Sequence, residues 1–312
     1  MPQIAWLLSI IVPVFNEESN VMPLFSKIRE VLANNVAFEV IFVDDASNDS
    51  TLDILRQLSR QYPDVIRYVS FARNFGHQTA IRAGLLYAKG DCVVTMDGDF
   101  QHPPELIPHM LSHWQEGYEI VNAKRSRPEG IGYFKKMTSF LFYKLNNVLT
   151  ESKIEEGVAD FRLIDKKIVD HINNLHEDNL FMRGIIAWLG FRQCCIEYEQ
   201  PPRSAGTSKY TVKKMFSLAL SGITSFSVKP LRLALISGCM FSAAAFLYGF
   251  YAVFIHFKGQ TLPGWTSVLV SALFIGGIQL ICLGIMGEYI AKIHMQVKNR
   301  PLCVIKDQSQ GR

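Results

Sequence analysis

Two long apolar runs near the carboxyl end constrain this chain more than any other feature. Residues 233–255 and 265–287 contain no charged side chain, and each exceeds the about 20 residues that cross the apolar core of a bilayer. A helix of that length buried in a soluble protein would normally keep a polar stripe. Both runs are therefore predicted to span a membrane, in keeping with the 49% of hydrophobic residues among 312.

Basic residues lie on one side of these runs. Those that precede the first run are Lys209, Lys213, Lys214, Lys229 and Arg232, and those that follow the second are Lys292, Lys298, Arg300 and Lys306. The connecting loop holds Lys258 alone. The positive-inside rule then predicts two cytoplasmic termini and an outward loop near 259–264. Between 209 and 231, apolar residues at helical spacing predict an amphipathic helix in the cytoplasmic interface; the alternative is a helix packed on the soluble domain.

Other composition features indicate the compartment. Residues 4–15 are apolar but have no basic leading region, which is typical of a buried first strand and not of a signal peptide. The six cysteines form no Cys-x-x-Cys pair, as expected in a reducing compartment. Basic residues cluster beside the apolar runs without interleaved aromatics, which argues against nucleic-acid binding. The soluble part is expected in the cytoplasm.

The first part of the chain alternates between the two kinds of secondary structure. Strands are predicted at 8–14, 38–43, 65–70, 92–96 and 119–123, and helices at 19–33, 50–61, 78–89 and 104–117. Further helices are expected at 133–149 and 165–175, followed by an apolar segment at 181–189. Strands separated by helices predict an α/β fold with a mostly parallel, Rossmann-like sheet covered on both faces.

Four polar clusters follow predicted strands: PVFNE at 13–17, VDDAS at 43–47, RNFG at 73–76 and DGD at 97–99. The carboxyl ends of parallel strands converge on one crevice, where α/β folds bind ligands. Asp97 and Asp99 supply hard oxygen ligands at a spacing that suits Mg²⁺ or Mn²⁺ on a diphosphate, and Gln101 adds a neutral oxygen. The alternative for an isolated Asp-Gly-Asp is a solvated turn.

These motifs resemble those of family 2 glycosyltransferases with a GT-A fold, specifically the polyprenyl-phosphate glycosyltransferases, which include the dolichyl-phosphate mannose synthases. The bactoprenol glucosyltransferases are most similar, through GVADFRL at 157–163, GITSFS at 222–227 and GEYI at 287–290. The chain departs from the family pattern at three positions. Ala46 and Ala159 stand where glycine is usual, and His77 stands where lysine is frequent.

The resemblance implies roles for the clustered residues. Those expected to border the nucleotide sugar are Pro13, Phe15, Asn16, Glu17, Asp44, Asp45, Arg73, Asp97 and Gly98. A metal, Mg²⁺ or Mn²⁺, is expected on Asp97, Asp99 and Gln101. Asp160 is the candidate catalytic carboxylate, together with Asp99. The acceptor would be a phosphate, whose second pKa is about 6 and which therefore needs little deprotonation. Asp160 either takes a proton or orients the acceptor or the metal shell. The alternative is a structural ion pair with Arg162.

Cations are expected around the acceptor phosphate. The basic candidates are Arg125, Arg127, Arg203 and Lys209, and the hydroxyl of Ser208 is a further candidate; Arg203, Ser208 and Lys209 lie within the loop RSAGTSKY at 203–210. Arginine suits bidentate phosphate binding, and lysine adds a point charge. An ordinary solvated or lipid-facing basic residue is the alternative for each of them.

The expected protein is an inverting, metal-dependent hexosyltransferase of the bacterial inner membrane. It would move one sugar, with UDP-glucose favoured as donor, to undecaprenyl phosphate for O-antigen modification of lipopolysaccharide. The expected domains are a catalytic domain at 1–208, the interfacial helix at 209–231, the hairpin at 232–290 and a cytoplasmic tail at 291–312. The alternatives are another donor sugar, a processive polysaccharide synthase and a non-catalytic membrane scaffold. The processive synthase is disfavoured because the chain has two predicted spans and no Gln-x-x-Arg-Trp motif. Small residues within the spans permit packing inside one chain or in a homo-oligomer.

Overall fold

A computed structural model describes residues 6–32, 36–126, 157–175, 182–199, 228–258 and 264–309. The strands are β1 Leu7–Val14, β2 Ala37–Asp44, β3 Ile66–Phe71, β4 Cys92–Thr95, β5 Ile120–Arg125, β6 Val158–Asp165, β7 Gln193–Tyr198 and β8 Ile305–Gln308. The helices are α1 Val21–Leu32, α2 Thr51–Gln61, α3 His77–Tyr87, α4 Ile107–Gln115, α5 Lys166–Asn173, α6 Met182–Leu189, α7 Lys229–Phe257 and α8 Trp265–Val297. A short 3₁₀ turn, Pro104–Leu106, leads into α4.

One mixed sheet organises the catalytic part of the chain, in the order β7-β5-β6-β4-β1-β2-β3-β8. The pairs β1–β2, β1–β4, β2–β3 and β5–β7 are parallel. Strand β6 is antiparallel to β4 and β5, and β8 is antiparallel to β3. Six strands therefore share one direction and two run against it, which confirms the mostly parallel sheet.

Helices cover both faces of this sheet, as predicted. Alternate residues of β1 point to opposite faces: Leu8 and Ile10 belong to the core cluster that contains residues of α1, α2 and α4, whereas Ile11 faces α3. A Cβ on Gly84 of α3 would lie 2.3 Å from Cγ2 of Ile11, so only glycine allows this approach. Strands β1 and β4 are almost completely buried, which explains why their sequences are mostly apolar on both faces.

The structure adds strands that the sequence pattern did not indicate. Strand β6 contains Asp160, and β7 continues the sheet on the far side of β5. Within the expected cytoplasmic tail at 291–312, α8 continues to Val297 and Ile305–Gln308 joins the sheet as β8. An unpaired edge of β3 would leave a row of N–H and C=O groups without partners, and β8 supplies them. The expected helices at 133–149 and 209–231 lie outside the described residues.

The helices α7 and α8 belong to a second compact unit, whereas residues 300–309 belong to the first. The Phe241 and Phe274 ring centroids lie 5.7 Å apart, and the Cys282 thiol donates to the Ala234 carbonyl at 3.9 Å. Since the contacts pair ascending positions on α7 with descending positions on α8, the two helices form an antiparallel hairpin. Among the described residues, two segments are long and apolar enough to cross a membrane, Leu231–Tyr251 and Val270–Val297.

Candidate active site

The direction of β6 decides where the active site is assembled. Strands β1, β2, β3 and β4 all end at the same edge of the sheet. Because β6 runs against them, its first residues lie at that edge, with Thr95 opposite Arg162 in the register. The Thr95 hydroxyl donates to the Asp160 carbonyl at 2.7 Å. Asp160 is thereby placed beside the carboxylates that follow β4.

Asp160 is a partly buried carboxylate, with 13% of its side chain exposed, and is held by three cationic or polar donors. Arg162 Nη2 donates to Oδ1 at 3.0 Å, and Gln78 Nε2 donates to Oδ2 at 3.1 Å. Arg183 donates to both oxygens, from Nε to Oδ1 at 3.1 Å and from Nη2 to Oδ2 at 3.2 Å. Burial by itself raises the pKa of Asp160, but the charges of Arg183 and Arg162 outweigh it, and the pKa is held well below its usual range. Asp160 is therefore ionised at neutral pH.

Arg183 is a site residue that the sequence reasoning missed. It lies in α6, within a segment whose other residues are mostly apolar and whose Met182, Ile185 and Ile186 are buried. A single arginine inside such a segment needs a buried partner, and that expectation was the available clue. The expected ion pair between Asp160 and Arg162 is present as well, so Asp160 is paired with two arginines.

His77 connects the two groups of carboxylates. Its Nε2 lies 3.3 Å from Oδ1 of Asp97 and 4.0 Å from Oδ2 of Asp160. His77 is the first residue of α3, directly after Gly76, so the helix start fixes its position at the sheet edge. A donor at this position is consistent with the lysine that is frequent there in the family that the sequence resembles.

His102 contacts both the backbone and the carboxylate of Asp97. The Asp97 backbone N–H donates to Nδ1 of His102 at 2.9 Å, which leaves the proton on Nε2, 3.6 Å from Oδ2 of Asp97. Burial lowers the pKa of His102, with Asp97 opposing the shift. The ring stacks on Phe161 with centroids 5.0 Å apart. A neutral, fully buried imidazole thus supports the Asp97 carboxylate.

The loop after β4 is closely packed. The Asp99 carboxylate accepts from the Gln101 backbone N–H at 3.1 Å, and Phe100 between them has a φ of 62°. A Cβ on Gly98 would lie 3.1 Å from Cγ1 of Val14. The small residue allows the loop to approach the end of β1, so the Asp97 and Asp99 carboxylates face the residues that follow that strand.

Residues after β1 complete the acidic edge. The Asn16 side-chain oxygen accepts from the Asn48 backbone N–H at 2.8 Å, and the Asn16 backbone N–H donates to Ser47 Oγ at 2.9 Å. Glu17 is half-buried. Burial raises its pKa, the hydrogen bond from Asn20 opposes this, and the charges of Asp99 and Asp97 raise it further. The mutual repulsion of these carboxylates indicates a place where a cation would be stabilised.

The paired aspartates after β2 mainly support loops. Asp44 is fully buried, and its carboxylate accepts from the Ser70 hydroxyl at 2.7 Å and the Ser47 backbone N–H at 3.0 Å. Asp45 accepts from the Phe75 and Gly76 backbone N–H groups at 2.6 and 2.9 Å. Burial raises the pKa of Asp45, and these two hydrogen bonds oppose the shift. Both carboxylates are buried, and each holds a loop at the carboxyl end of the sheet through its hydrogen bonds.

The remaining expected nucleotide residues lie around the same edge. Pro13 sits in β1 opposite Val43, and Phe15 follows with 36% of its surface exposed. The Arg73 guanidinium lies over the Phe75 ring, 4.1 Å from its centroid. Stacking on an aromatic ring restricts an otherwise flexible arginine, which favours a binding role for Arg73.

One of the expected acceptor residues is described. Arg125 ends β5, and its Nε donates to the Tyr198 hydroxyl at 3.3 Å. Burial raises the pKa of Tyr198, Arg125 opposes the shift, and Asp97 and Asp99 add to it, which places this pair near the carboxylates. Arg127, Arg203, Ser208 and Lys209 lie outside the described residues.

The residues present fit a divalent cation held jointly with a ligand. Asp97 and Asp99 offer carboxylate oxygens, and the unpartnered Nε2 of buried His102 points toward Asp97. Within the described ranges, no three His, Cys, Asp or Glu side chains are arranged to hold a metal by themselves. This is the pattern of Mg²⁺ or Mn²⁺ sites in which one or two carboxylates act together with substrate phosphates and water.

Comparison with known proteins identifies the family. The family model described as glycosyl transferase family 2 matches residues 9–172. The chain belongs to glycosyltransferase family 2. This family 2 glycosyltransferase is 43% identical to the SfII prophage-derived bactoprenol glucosyl transferase of Shigella flexneri over 97% of this chain and 99% of that protein. A prophage bactoprenol glucosyl transferase homolog of Escherichia coli is 42% identical over 96% and 98%.

The carboxyl-terminal part matches a second model. The GtrB C-terminal hairpin covers residues 229–293 of this glycosyltransferase, the region of α7 and α8. Together with the two long apolar helices, this match makes it a membrane-associated enzyme with a GT-A catalytic domain. A solved glucosyl-3-phosphoglycerate synthase of Mycobacterium tuberculosis aligns over 70% of this chain and 78% of its own, with 16% identity and a TM-score of 0.46, values too low to bear on the site.

Proposed function

We propose that this enzyme transfers one glucose from UDP-glucose to undecaprenyl phosphate at the cytoplasmic face of the membrane. The observation that carries the proposal is that His77 lies within 4.0 Å of both Asp97 and Asp160, at the carboxyl ends of the parallel strands. The hairpin match supports an acceptor that lies in the membrane. Relatives named bactoprenol glucosyl transferases, similar over nearly their whole length, favour glucose and a bactoprenol-type phosphate.

The reaction is a displacement at the anomeric carbon of the donor. An oxygen of the lipid phosphate forms a bond to that carbon, the bond to the nucleoside diphosphate breaks, and the configuration inverts. A phosphate with a second pKa of about 6 is largely a dianion at neutral pH and needs no base. Arg183 and Arg162 keep the pKa of Asp160 below its usual range, so its carboxylate is a weak base. We therefore assign Asp160 to orienting the reacting groups and not to taking a proton.

Donor binding is assigned to the edge formed by β1 to β4. Asp97, Asp99 and Gln101 would hold Mg²⁺ or Mn²⁺, and the bound ion would neutralise charge on the departing nucleoside diphosphate. Asp45 and Arg73 face the same edge and would contact the nucleoside. The other members of this donor set are Pro13, Phe15, Asn16, Glu17, Asp44 and Gly98, of which Asp44 acts through the loop that it supports.

Acceptor binding is assigned to the opposite side of the site. Arg125 provides a positive charge beside Tyr198. Arg127, Arg203 and Lys209 are proposed to complete the phosphate-binding set, since basic residues that precede an interfacial helix would meet a lipid headgroup. The Ser208 hydroxyl is proposed as a further hydrogen-bond donor to the phosphate. Asp160 lies between the donor and acceptor groups in this assignment.

The membrane arrangement is part of the proposal. We assign α7 and α8 to two spans of the bacterial inner membrane, with both termini in the cytoplasm and the loop near 259–264 outside. Residues 1–208 would form the catalytic domain, to whose sheet β8 adds the last strand, and 209–231 an interfacial helix. A cytoplasmic catalytic domain has direct access to nucleotide sugars, and the lipid-linked glucose would serve modification of cell-surface polysaccharide such as O-antigen.

The test is transfer of labelled sugar to undecaprenyl phosphate by the purified enzyme in detergent. UDP-glucose, UDP-galactose, UDP-N-acetylglucosamine and GDP-mannose are compared, and UDP-glucose is expected to be used best. Preference for another donor would keep the lipid phosphate acceptor and replace glucose. Transfer from none of them, by protein that still melts cooperatively, would overturn the enzymatic proposal in favour of a non-catalytic scaffold.

Two variants test the division between donor and acceptor sides. Arg203→Ala should raise the KM for undecaprenyl phosphate about tenfold, as expected for loss of roughly 1.4 kcal/mol of phosphate binding, with UDP affinity unchanged in calorimetry. Asp160→Asn should retain both affinities and lose turnover, because the interaction acts mainly in the transition state. Loss of UDP binding in Arg203→Ala, or wild-type turnover in Asp160→Asn, would contradict the assignment.

A further inference from the structure

The strand that follows the membrane hairpin returns to the catalytic sheet. Strand β8 pairs with β3 so that Gln308 lies opposite Val69 and Ile305 opposite Phe71. Since β8 is antiparallel to β3, the first residues of β8 lie beside the carboxyl end of β3. The candidate active site lies at this end of the strands. The carboxyl-terminal residues are thus placed beside the donor side of the site.

The far end of β8 is fixed by side chains away from the site. Arg56 of α2 donates from Nε and Nη2 to Oδ2 of Asp307, at 2.8 and 2.7 Å. The Tyr87 hydroxyl donates to Oε1 of Gln308 at 3.1 Å, and the Ser309 N–H donates to the Tyr68 carbonyl at 3.0 Å. These contacts hold the strand in register along β3.

The near end of β8 contacts the loop that carries Arg73. The Ala72 backbone N–H donates to the Val304 carbonyl at 2.8 Å, which holds the residue directly before Arg73. The half-buried thiol of Cys303 lies near Asp45. Burial raises the pKa of the Cys303 thiol, and the charge of Asp45 raises it further. Asp45 in turn accepts from two backbone N–H groups of the same loop. The loop at 72–76 is therefore held between β8 and Asp45.

We propose that β8 is a positioning element for nucleotide binding, holding the loop at 72–76 so that Arg73 and Asp45 are ordered before the nucleotide arrives. The inference rests on the proposed function, because it takes the nucleotide to bind at this edge. Ordering a loop in advance improves affinity by removing an entropic cost of association. Val304, Ile305 and Asp307 would then affect donor affinity without touching the donor.

The test is UDP binding with Mn²⁺, measured by calorimetry on the full-length protein in detergent. Asp307→Asn and Arg56→Gln loosen β8 at its far end, and Lys306→Gln, an exposed residue on the same strand, is the matched control. Each anchor variant should weaken UDP binding about threefold, and deletion of residues 303–312 about tenfold, the loss expected when roughly two side chains must be ordered on binding. The KM for undecaprenyl phosphate should stay unchanged in the two anchor variants.

The outcomes separate this inference from the proposed function. Unchanged UDP affinity in both anchor variants, with tight binding by the wild type, would overturn the role of β8 and leave the transferase proposal in place. Absence of UDP binding by the wild type would overturn both. If the deletion variant fails to melt cooperatively, the two anchor variants decide, and an equal loss in Lys306→Gln counts against the inference.

Discussion

Arg183 and Asp160 are joined by two hydrogen bonds that use both carboxylate oxygens, at 3.1 and 3.2 Å. A paired geometry of this kind fixes the plane of the carboxylate as well as its charge. Arg183 is contributed by α6 and Asp160 by β6, so the pair joins two elements at the sheet edge. The position of the Asp160 carboxylate therefore depends on α6.

Replacing Arg183 should lower turnover more than affinity. Arg183→Gln is expected to reduce kcat about a hundredfold, because a misplaced group near the reacting atoms costs this much. Arg183→Lys, which keeps the charge without the paired geometry, should recover part of that loss. Initial rates and UDP calorimetry measure the split, with Arg192→Gln as control, an exposed arginine that stacks on Tyr118. Equal losses in kcat and UDP affinity would assign Arg183 a general structural role.

The pH dependence of stability should report the charge of Asp160. Its pKa is lower in the folded protein than its ordinary value of 3.8, with Arg183 and Arg162 outweighing burial. A carboxyl of this kind stabilises the fold fully above its unfolded pKa and loses the contribution as the pH falls through the folded one. The difference in melting temperature between wild type and Asp160→Asn should be constant from about pH 5 to 8 and shrink below about pH 4. A difference that changes near pH 7 would contradict an ionised Asp160.

Removal of the metal should abolish transfer. A chelator is expected to stop the reaction, and Mg²⁺ or Mn²⁺ should restore it. Asp99→Ala should lower activity about a hundredfold or more, because charge neutralisation by a bound cation is worth several kcal/mol in the transition state. Asp64→Ala, at an exposed position in the turn after α2, is the control and should retain activity. Full activity in chelator would refute the metal assignment.

Cysteine labelling tests the orientation in the membrane. In a background without the native thiols, an impermeant reagent added to intact cells should label Gln260→Cys and not Asp64→Cys. The reason is that the positive charges around the spans favour two cytoplasmic termini. Labelling of Asp64→Cys before cell lysis would reverse the orientation and remove access to cytoplasmic nucleotide sugars.

Ala46 should be a site where glycine stabilises the protein. Its φ of 62° lies in the left-handed region, where a Cβ costs roughly 1–2 kcal/mol. Glycine removes that cost but adds about 0.5–1 kcal/mol of backbone entropy, so Ala46→Gly should gain up to about 1 kcal/mol in a denaturant titration. Ala37→Gly, at the start of β2, has no such strain to relieve and should be destabilised. A loss of stability in both variants would rule out strain at Ala46.

Local pattern was sufficient for most of the first unit. The five predicted strands are present, and so are the predicted helices at 19–33, 50–61, 78–89, 104–117 and 165–175, with boundaries that differ by a few residues. The reason is that the alternation of apolar runs with amphipathic segments is encoded locally. The apolar runs likewise became α7 and α8, although α8 is ten residues longer than its uncharged run, ending at Val297 instead of 287. The mixed apolar and charged residues of that extension hid it from a search for uncharged runs.

Strands β6, β7 and β8 could not be found in this way, because their side chains are only partly apolar and their pairing partners are distant in the chain. Strand β8 is short, and most of its residues are exposed. Its place at the edge of β3 is decided by the unpaired N–H and C=O groups of that edge and by Arg56 reaching Asp307. Neither contact leaves a periodic pattern in the sequence.

By itself, the sequence determined the α/β class, the apolar hairpin and the acidic residues that follow β1, β2 and β4, since each depends on residues that are neighbours in the chain. Tertiary structure alone decided that β6 is reversed, which brings Asp160 to the edge where Asp97 lies. It also decided that Arg183 holds Asp160 ionised. The physical reason is that a carboxylate's charge depends on every cation and donor around it, and these come from segments that only the folded sheet places together.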